Sequence, residues 1–103
     1  MLVKFNNSYL EKIFTGSSVV GKPKYSSGVI LKFKKTILML QYVENLIELK
    51  KFRGLNFEAL KGEYKGYYSV RVDIQYRLIL SVQKDEIFIK DILIVEDLSN
   101  HYQ

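Results

Sequence analysis

The apolar residues of this chain change their spacing once, near residue 67, and that change decides the fold class. Upstream, Tyr9, Leu10, Ile13 and Phe14 recur at helical spacing behind Asn6-Asn7-Ser8, whose side-chain oxygens suit a helix N-cap. Gly16 offers a left-handed stop, and residues 17–28 read as a loop. Ser26 or Ser27 can cap a longer helix through about Tyr42. Its Val29, Ile30, Phe33, Ile37, Leu38 and Leu40 form an apolar stripe, with Lys32, Lys34 and Lys35 mostly off it. Val43 to Lys51 reads as a short third helix, and Phe52 to Gly66 as irregular. From Tyr67 the period is two. Tyr68, Val70 and Val72 face one way and Ser69 and Arg71 the other; Tyr76 to Gln83 alternates likewise. Lys84-Asp85 reads as a turn and Glu86 to Leu98 as a long final strand. Helices followed by a meander predict an α+β fold, with N-terminal helices packed on one face of a C-terminal antiparallel sheet. No repeat or linker interrupts the chain, so residues 1–103 are expected to form one domain.

Composition narrows the function classes. With 48% hydrophobic residues, 8 Tyr and 6 Phe, a core can form, burying roughly 60–70% of the unfolded surface at this size. There is no cysteine, which removes disulfides, thiolate metal sites and cysteine nucleophiles. Met1 to Asn7 lacks the apolar run of a signal peptide, and no stretch approaches the ~18 apolar residues of a membrane span. The expectation is a soluble, cytoplasmic protein.

The net charge of +5 is unevenly placed. Residues 22–77 hold 12 basic and 5 acidic groups, whereas residues 78–103 hold 2 and 5. A basic central region suits a polyanion on one face, although a lysine-rich solvated surface gives the same count. One histidine and no cysteine leave no His/Cys metal cluster, and Gly62-x-x-x-Gly66 has the wrong spacing for a phosphate loop. The lone histidine, near the end of the chain, makes a hydrolase triad improbable.

RNA backbone cleavage asks for less: a base for the 2′-hydroxyl, charge stabilisation at the pentavalent phosphate, and a proton for the departing 5′-oxygen. Arginine suits the middle task because its charged fork matches phosphate oxygens in pairs. Arg71 and Arg77 lie on neighbouring strands across a short turn, where both can face solvent and converge with Lys61 and Lys65. The bland alternative is that both merely solvate an exposed sheet face. His101 is the one side chain whose unperturbed pKa lies near neutrality. Tyr64 and Tyr67 are placed to stack bases beside held phosphates, while Tyr68 and Tyr76 are expected in the core.

The string Leu60-Lys61-Gly62-Glu63-Tyr64-Lys65-Gly66-Tyr67-Tyr68-Ser69-Val70-Arg71, continued by Tyr76-Arg77-Leu78, resembles the HigB branch of the RelE/ParE toxins of bacterial toxin–antitoxin pairs. The resemblance runs from Tyr9 to His101-Tyr102. It implies a RelE-like, microbial-ribonuclease-type fold and a ribosome-dependent mRNA endoribonuclease that needs no metal or cofactor. It also implies a cognate HigA-like helix-turn-helix antitoxin, with ribosome and mRNA as further partners. Such toxins end in a catalytic Asp-Tyr-His segment, and the matching region here is Glu96-Asp97-Leu98-Ser99-Asn100-His101-Tyr102, respaced and with His before Tyr. The implied catalytic set is therefore Arg77, His101, Asp97 and Lys61. Glu58 joins it, standing where the family often has a histidine. Arg53, Lys65, Arg71, Tyr64, Tyr67 and Tyr102 form the implied RNA-binding set. Two other readings stay open: a ParE-like, non-enzymatic poison of DNA gyrase, and an inactive antitoxin-binding module. Asp97 and His101 discriminate, since a gyrase binder has no evident use for them.

Overall fold

The computed structural model describes residues 1–19 and 21–101. Helix α1 (Ser8–Thr15) begins where the Asn7 side chain accepts the Leu10 N–H at 3.1 Å. It ends at Gly16, whose φ of 80° lets the Ser17 N–H reach back to the Lys12 carbonyl at 2.9 Å. Ser26 caps helix α2 (Ser27–Tyr42), its hydroxyl accepting the Val29 N–H at 3.2 Å. Phe33, Thr36, Ile37 and Leu40 are the buried face of α2. Leu38, expected on that stripe, is exposed. One residue beyond Ile37 turns the side chain about 100° around the helix, off the core. Helix α3 (Leu46–Lys51) is capped by Asn45 and buries Leu49.

Five strands make one sheet: β1 (Leu2–Phe5), β2 (Glu58–Ala59), β3 (Tyr68–Arg71), β4 (Arg77–Asp85) and β5 (Lys90–Ser99), in spatial order β1-β5-β4-β3-β2. The β3-β4-β5 part is the antiparallel meander the alternation predicts, and β2, inside the stretch expected to be irregular, extends it by pairing Glu58 with Ser69 and Ala59 with Tyr68. The sheet as a whole is mixed, because β1 adds in parallel beside β5, pairing Val3 with Leu93. A second fixture also holds β1: the Met1 ammonium donates to the carbonyls of Leu40, Gln41 and Val43, meeting the unpaired carbonyls at the negative end of α2. The expected turn at Lys84-Asp85 lies instead at residues 86–89. Asp85 finishes β4, and its carboxylate accepts the N–H groups of Ile87 and Phe88 at 3.0 and 3.3 Å. β5 consequently starts at Lys90 rather than Glu86.

The sheet's two faces differ sharply. Val70, Leu78, Leu80, Leu93, Val95 and Leu98 join Leu10, Phe33, Ile37 and Leu40 in one buried cluster under the helices. Each fully buried aliphatic contributes about 1.5–3 kcal/mol relative to exposure. Tyr68 and Tyr76, expected in the core, are half-buried at its margin, Tyr68 stacked on Phe57 with centroids 5.2 Å apart and Tyr76 edge-on to Tyr25 at 5.7 Å. The opposite face carries Ser69, Arg71, Arg77 and Ile79. A bulge leaves Glu96 unpaired, since Ile79 faces Asp97 while Leu80 faces Val95. The Glu96 carboxylate takes hydrogen bonds from Ser81 Oγ at 2.6 Å and Asn6 Nδ2 at 2.8 Å, tying the β1–α1 corner to the sheet.

Candidate functional site

Register collects the site at one end of the sheet. Arg71 pairs directly with Arg77, and Arg77 with Ser99. One step along, Glu58 pairs with Ser69, Ser69 with Ile79 and Ile79 with Asp97. Two arginines directly opposite each other repel by a few tenths to about 1 kcal/mol, so the pairing favours an anion between them. The β3–β4 turn keeps the pair close: Asp73 accepts the N–H groups of Gln75 and Tyr76 at 2.8 and 2.7 Å.

Arg77 is the centre of this end. Its Nε–H donates to Ser69 Oγ at 2.8 Å and its Nη2 donates to the Asn56 carbonyl at 2.7 Å, with the Glu58 carboxylate 3.8 Å away. Its side chain is only 11% exposed, so the expectation of a solvent-facing arginine is corrected. The alternation does place it on the face away from the helices. On that face, however, it lies across the fully buried Ser69 and against the loop before β2. Arg71 has no such tether among the described residues and is exposed. An open groove of about 470 Å³ runs beside the pair, lined among others by Asn56, Glu58, Arg71, Asp73, Arg77 and Asn100.

The other expected residues fall into two groups. Asp97 sits on β5 in the row of Glu58 and Ser69, its carboxylate accepting the Leu98 N–H at 2.9 Å. Burial first, and the Asp97 charge second, push the Tyr25 phenol up to about 12; its hydroxyl donates to the Leu98 carbonyl at 2.8 Å. His101 stands two residues past β5 with an exposed side chain, its N–H bonded to Ser99 Oγ at 3.0 Å. Its neighbour Asn100 lines the groove. Tyr102 lies outside the described residues.

Lys61, Tyr64, Lys65 and Tyr67 form the loop between β2 and β3, closed by the Leu60 N–H to the Tyr67 carbonyl at 2.9 Å. That loop is at the start of β3, whereas Arg71 ends it, three rises or about 10 Å away. The expected convergence of Lys61 and Lys65 with the arginines is therefore not found: neither lysine lines the groove. Arg53, exposed, begins the 3₁₀ turn that leads into Asn56. Asn56 and Ser69, which the sequence reading passed over, are the two residues that accept hydrogen bonds from Arg77. Ser69 stood inside the motif string, and Asn56 adopts φ 45°, a left-handed conformation asparagine tolerates well.

A larger hollow of about 860 Å³ opens between the end of α2 and the 86–89 turn, some eight strand rises or roughly 27 Å from Arg77. Among the described residues no expected site residue lines it.

Comparison with known proteins places the chain. The fold matches the YoeB/ParE toxin from Agrobacterium tumefaciens at a TM-score of 0.57 and 19% identity, covering 99% of this chain and 100% of that one. It matches YafQ from E. coli at 0.60 and 15% identity, over 96% and 91% of the two chains. HP0894 from Helicobacter pylori matches at 0.55 and 19% identity, over 98% and 94%. No curated protein sequence matches significantly. The family model of the RelE-like toxin HigB of type II toxin–antitoxin systems matches residues 3–94. The chain therefore belongs to the HigB-like toxins, the toxin halves of toxin–antitoxin pairs.

Proposed function

We propose that this toxin is a ribosome-dependent endoribonuclease that cuts mRNA during translation. The observation that carries the reading is the Arg71–Arg77 pair, set directly opposite across β3 and β4 in a groove that also holds the Glu58 carboxylate. In this reading Arg77 stabilises the added charge of the pentavalent phosphate, and exposed Arg71 draws the backbone in. Glu58 removes the 2′-hydroxyl proton, the 2′-oxygen attacks phosphorus, and the bond to the 5′-oxygen breaks as His101 protonates it. The products are a 2′,3′-cyclic phosphate and a free 5′-hydroxyl. Asp97 supports the histidine-bearing end of β5. Lys61, Lys65 and Arg53 hold flanking phosphates, while Tyr64, Tyr67 and Tyr102 stack bases. No metal or cofactor takes part.

The inhibitory partner is a HigA-like helix-turn-helix antitoxin, and the setting is the cytoplasm, where ribosomes are the target. Residues 1–103 act as one toxin domain. Among the described residues no helix is long and apolar enough to cross a membrane. Induction of the chain alone in bacteria, with mRNA ends mapped, tests the reading. Cuts inside translated codons support it. DNA breaks and an SOS response with intact mRNA overturn it in favour of the gyrase poison, and growth without either favours an inactive antitoxin-binding module.

A further inference from the structure

The serine of the motif string occupies a position unusual for a polar side chain. Ser69 is fully buried in the middle of the sheet, between Glu58 on β2 and Ile79 on β4. Its hydroxyl accepts the Arg77 Nε–H at 2.8 Å from the diagonal position on the neighbouring strand. The Asn56 carbonyl takes an Nη2 proton of the same guanidinium at 2.7 Å. An arginine on a strand ordinarily keeps several rotamers, and fixing such a side chain costs rotamer entropy. Here two acceptors on different elements hold the guanidinium before any ligand arrives. The Nη1 end has no acceptor among the described contacts and remains for a phosphate.

We propose that Ser69 is a positioning residue: with the Asn56 carbonyl, it fixes the Arg77 guanidinium in the groove so that its remaining donors meet the phosphate in the transition state. The inference rests on the ribonuclease reading for its kinetic consequence but not for the lock itself. Size and chemistry both enter. Alanine fits the buried site but offers no acceptor. Larger apolar residues would fill the space over which the arginine stem lies. Threonine keeps the oxygen. The neighbouring Arg71, exposed and without a tether, contrasts with this arrangement and acts in substrate capture.

Two measurements test the lock. The first is the Arg77 Nε–H resonance in NMR of the intact chain. It is expected to be protected from water exchange in wild type and Ser69→Thr, and to exchange as fast as that of Arg71 in Ser69→Ala. The second is single-turnover cleavage on programmed ribosomes. Ser69→Ala is expected to lower the maximal single-turnover rate about 10- to 100-fold with the half-saturating toxin concentration within about twofold, Ser69→Thr to restore most of it, and Ser69→Ala to change nothing further in an Arg77→Ala background. Rapid Nε–H exchange in wild type overturns the proposal. An equal loss from Ser69→Ala with and without Arg77 also overturns it, since that is how a merely structural serine behaves. If wild type leaves mRNA uncut, the ribonuclease reading fails and the exchange data alone decide the lock.

Discussion

Replacing Arg77 by alanine should harm both stability and activity, and by separable amounts. A solvent-facing arginine would cost less than about 0.5 kcal/mol of stability on removal. Arg77 is different, because its side chain is 11% exposed and covers a fully buried hydroxyl. Truncation leaves Ser69 Oγ without the Nε–H donor, a loss of about 1–3 kcal/mol for a buried polar group. The Asn56 carbonyl belongs to an exposed residue and can turn to water, and the half-exposed Glu58 contributes under about 1 kcal/mol as an ion pair. Relief of the Arg71–Arg77 repulsion returns a few tenths to about 1 kcal/mol. The net expectation is about 1–2 kcal/mol of destabilisation, or a Tm lower by about 4–16 °C for a domain of this size. Urea unfolding followed by circular dichroism measures the first part. Single-turnover cleavage of mRNA on programmed ribosomes measures the second, where loss of the charge-assisted phosphate contact should slow the step about 10²–10³-fold, or about 2.7–4 kcal/mol. A variant with unchanged unfolding midpoint would refute the buried hydrogen bonds. One that cuts at the wild-type rate would remove Arg77 from the chemistry.

His101→Gln should slow cleavage about 10²-fold or more near neutral pH and flatten the pH–rate profile, with ribosome binding by sedimentation unchanged; identical profiles would make His101 a bystander. Ile37→Ala should cost about 2–5 kcal/mol in urea unfolding and Leu38→Ala under about 0.5, since the first is fully buried and the second exposed. The Tyr25 phenol, raised from 10.0 to about 12, favours the protonated folded state. Its contribution is full below pH ~10 and is lost as pH rises through about 12. Alkaline unfolding should therefore steepen across that window in wild type and less in Tyr25→Phe; equal curves would refute the assignment.

The parts of this fold legible in the sequence are those specified locally. Asn7, Gly16 and Ser26 cap helices through bonds that span three to five residues, and strand alternation needs only neighbours. What escaped was specified by distant partners. β1 is four residues with no turn signal, and it exists because β5 offers an edge more than eighty residues away. Asp85 announced a turn, but the turn itself runs over 86–89 and ends on Ile89 at φ 52°, a conformation unusual for a β-branched residue, so its position was misjudged. Arg77 was assigned to the right face but the wrong environment. Alternation reports which way a side chain leaves the strand, and it says nothing of what crosses that face. A small buried Ser69 on one strand and a left-handed Asn56 in a preceding loop had to coincide before the guanidinium could be covered.

That coincidence also bears on Glu58. A neutral side chain at this position would neither repel a phosphate nor neutralise an arginine. A carboxylate 3.8 Å from Arg77 does both, so an arriving phosphate must compete with it for the same guanidinium. Because Ser69 and Asn56 already hold Arg77, Glu58 is not needed to orient it. At 49% exposure the carboxylate also has room to swing toward a 2′-hydroxyl. Glu58→Gln separates the two effects. If Glu58 is the base, the variant should bind programmed ribosomes at least as tightly as wild type yet cleave about 10²-fold or more slowly. Faster cleavage would show instead that the carboxylate only shields Arg77, and that another group takes the proton.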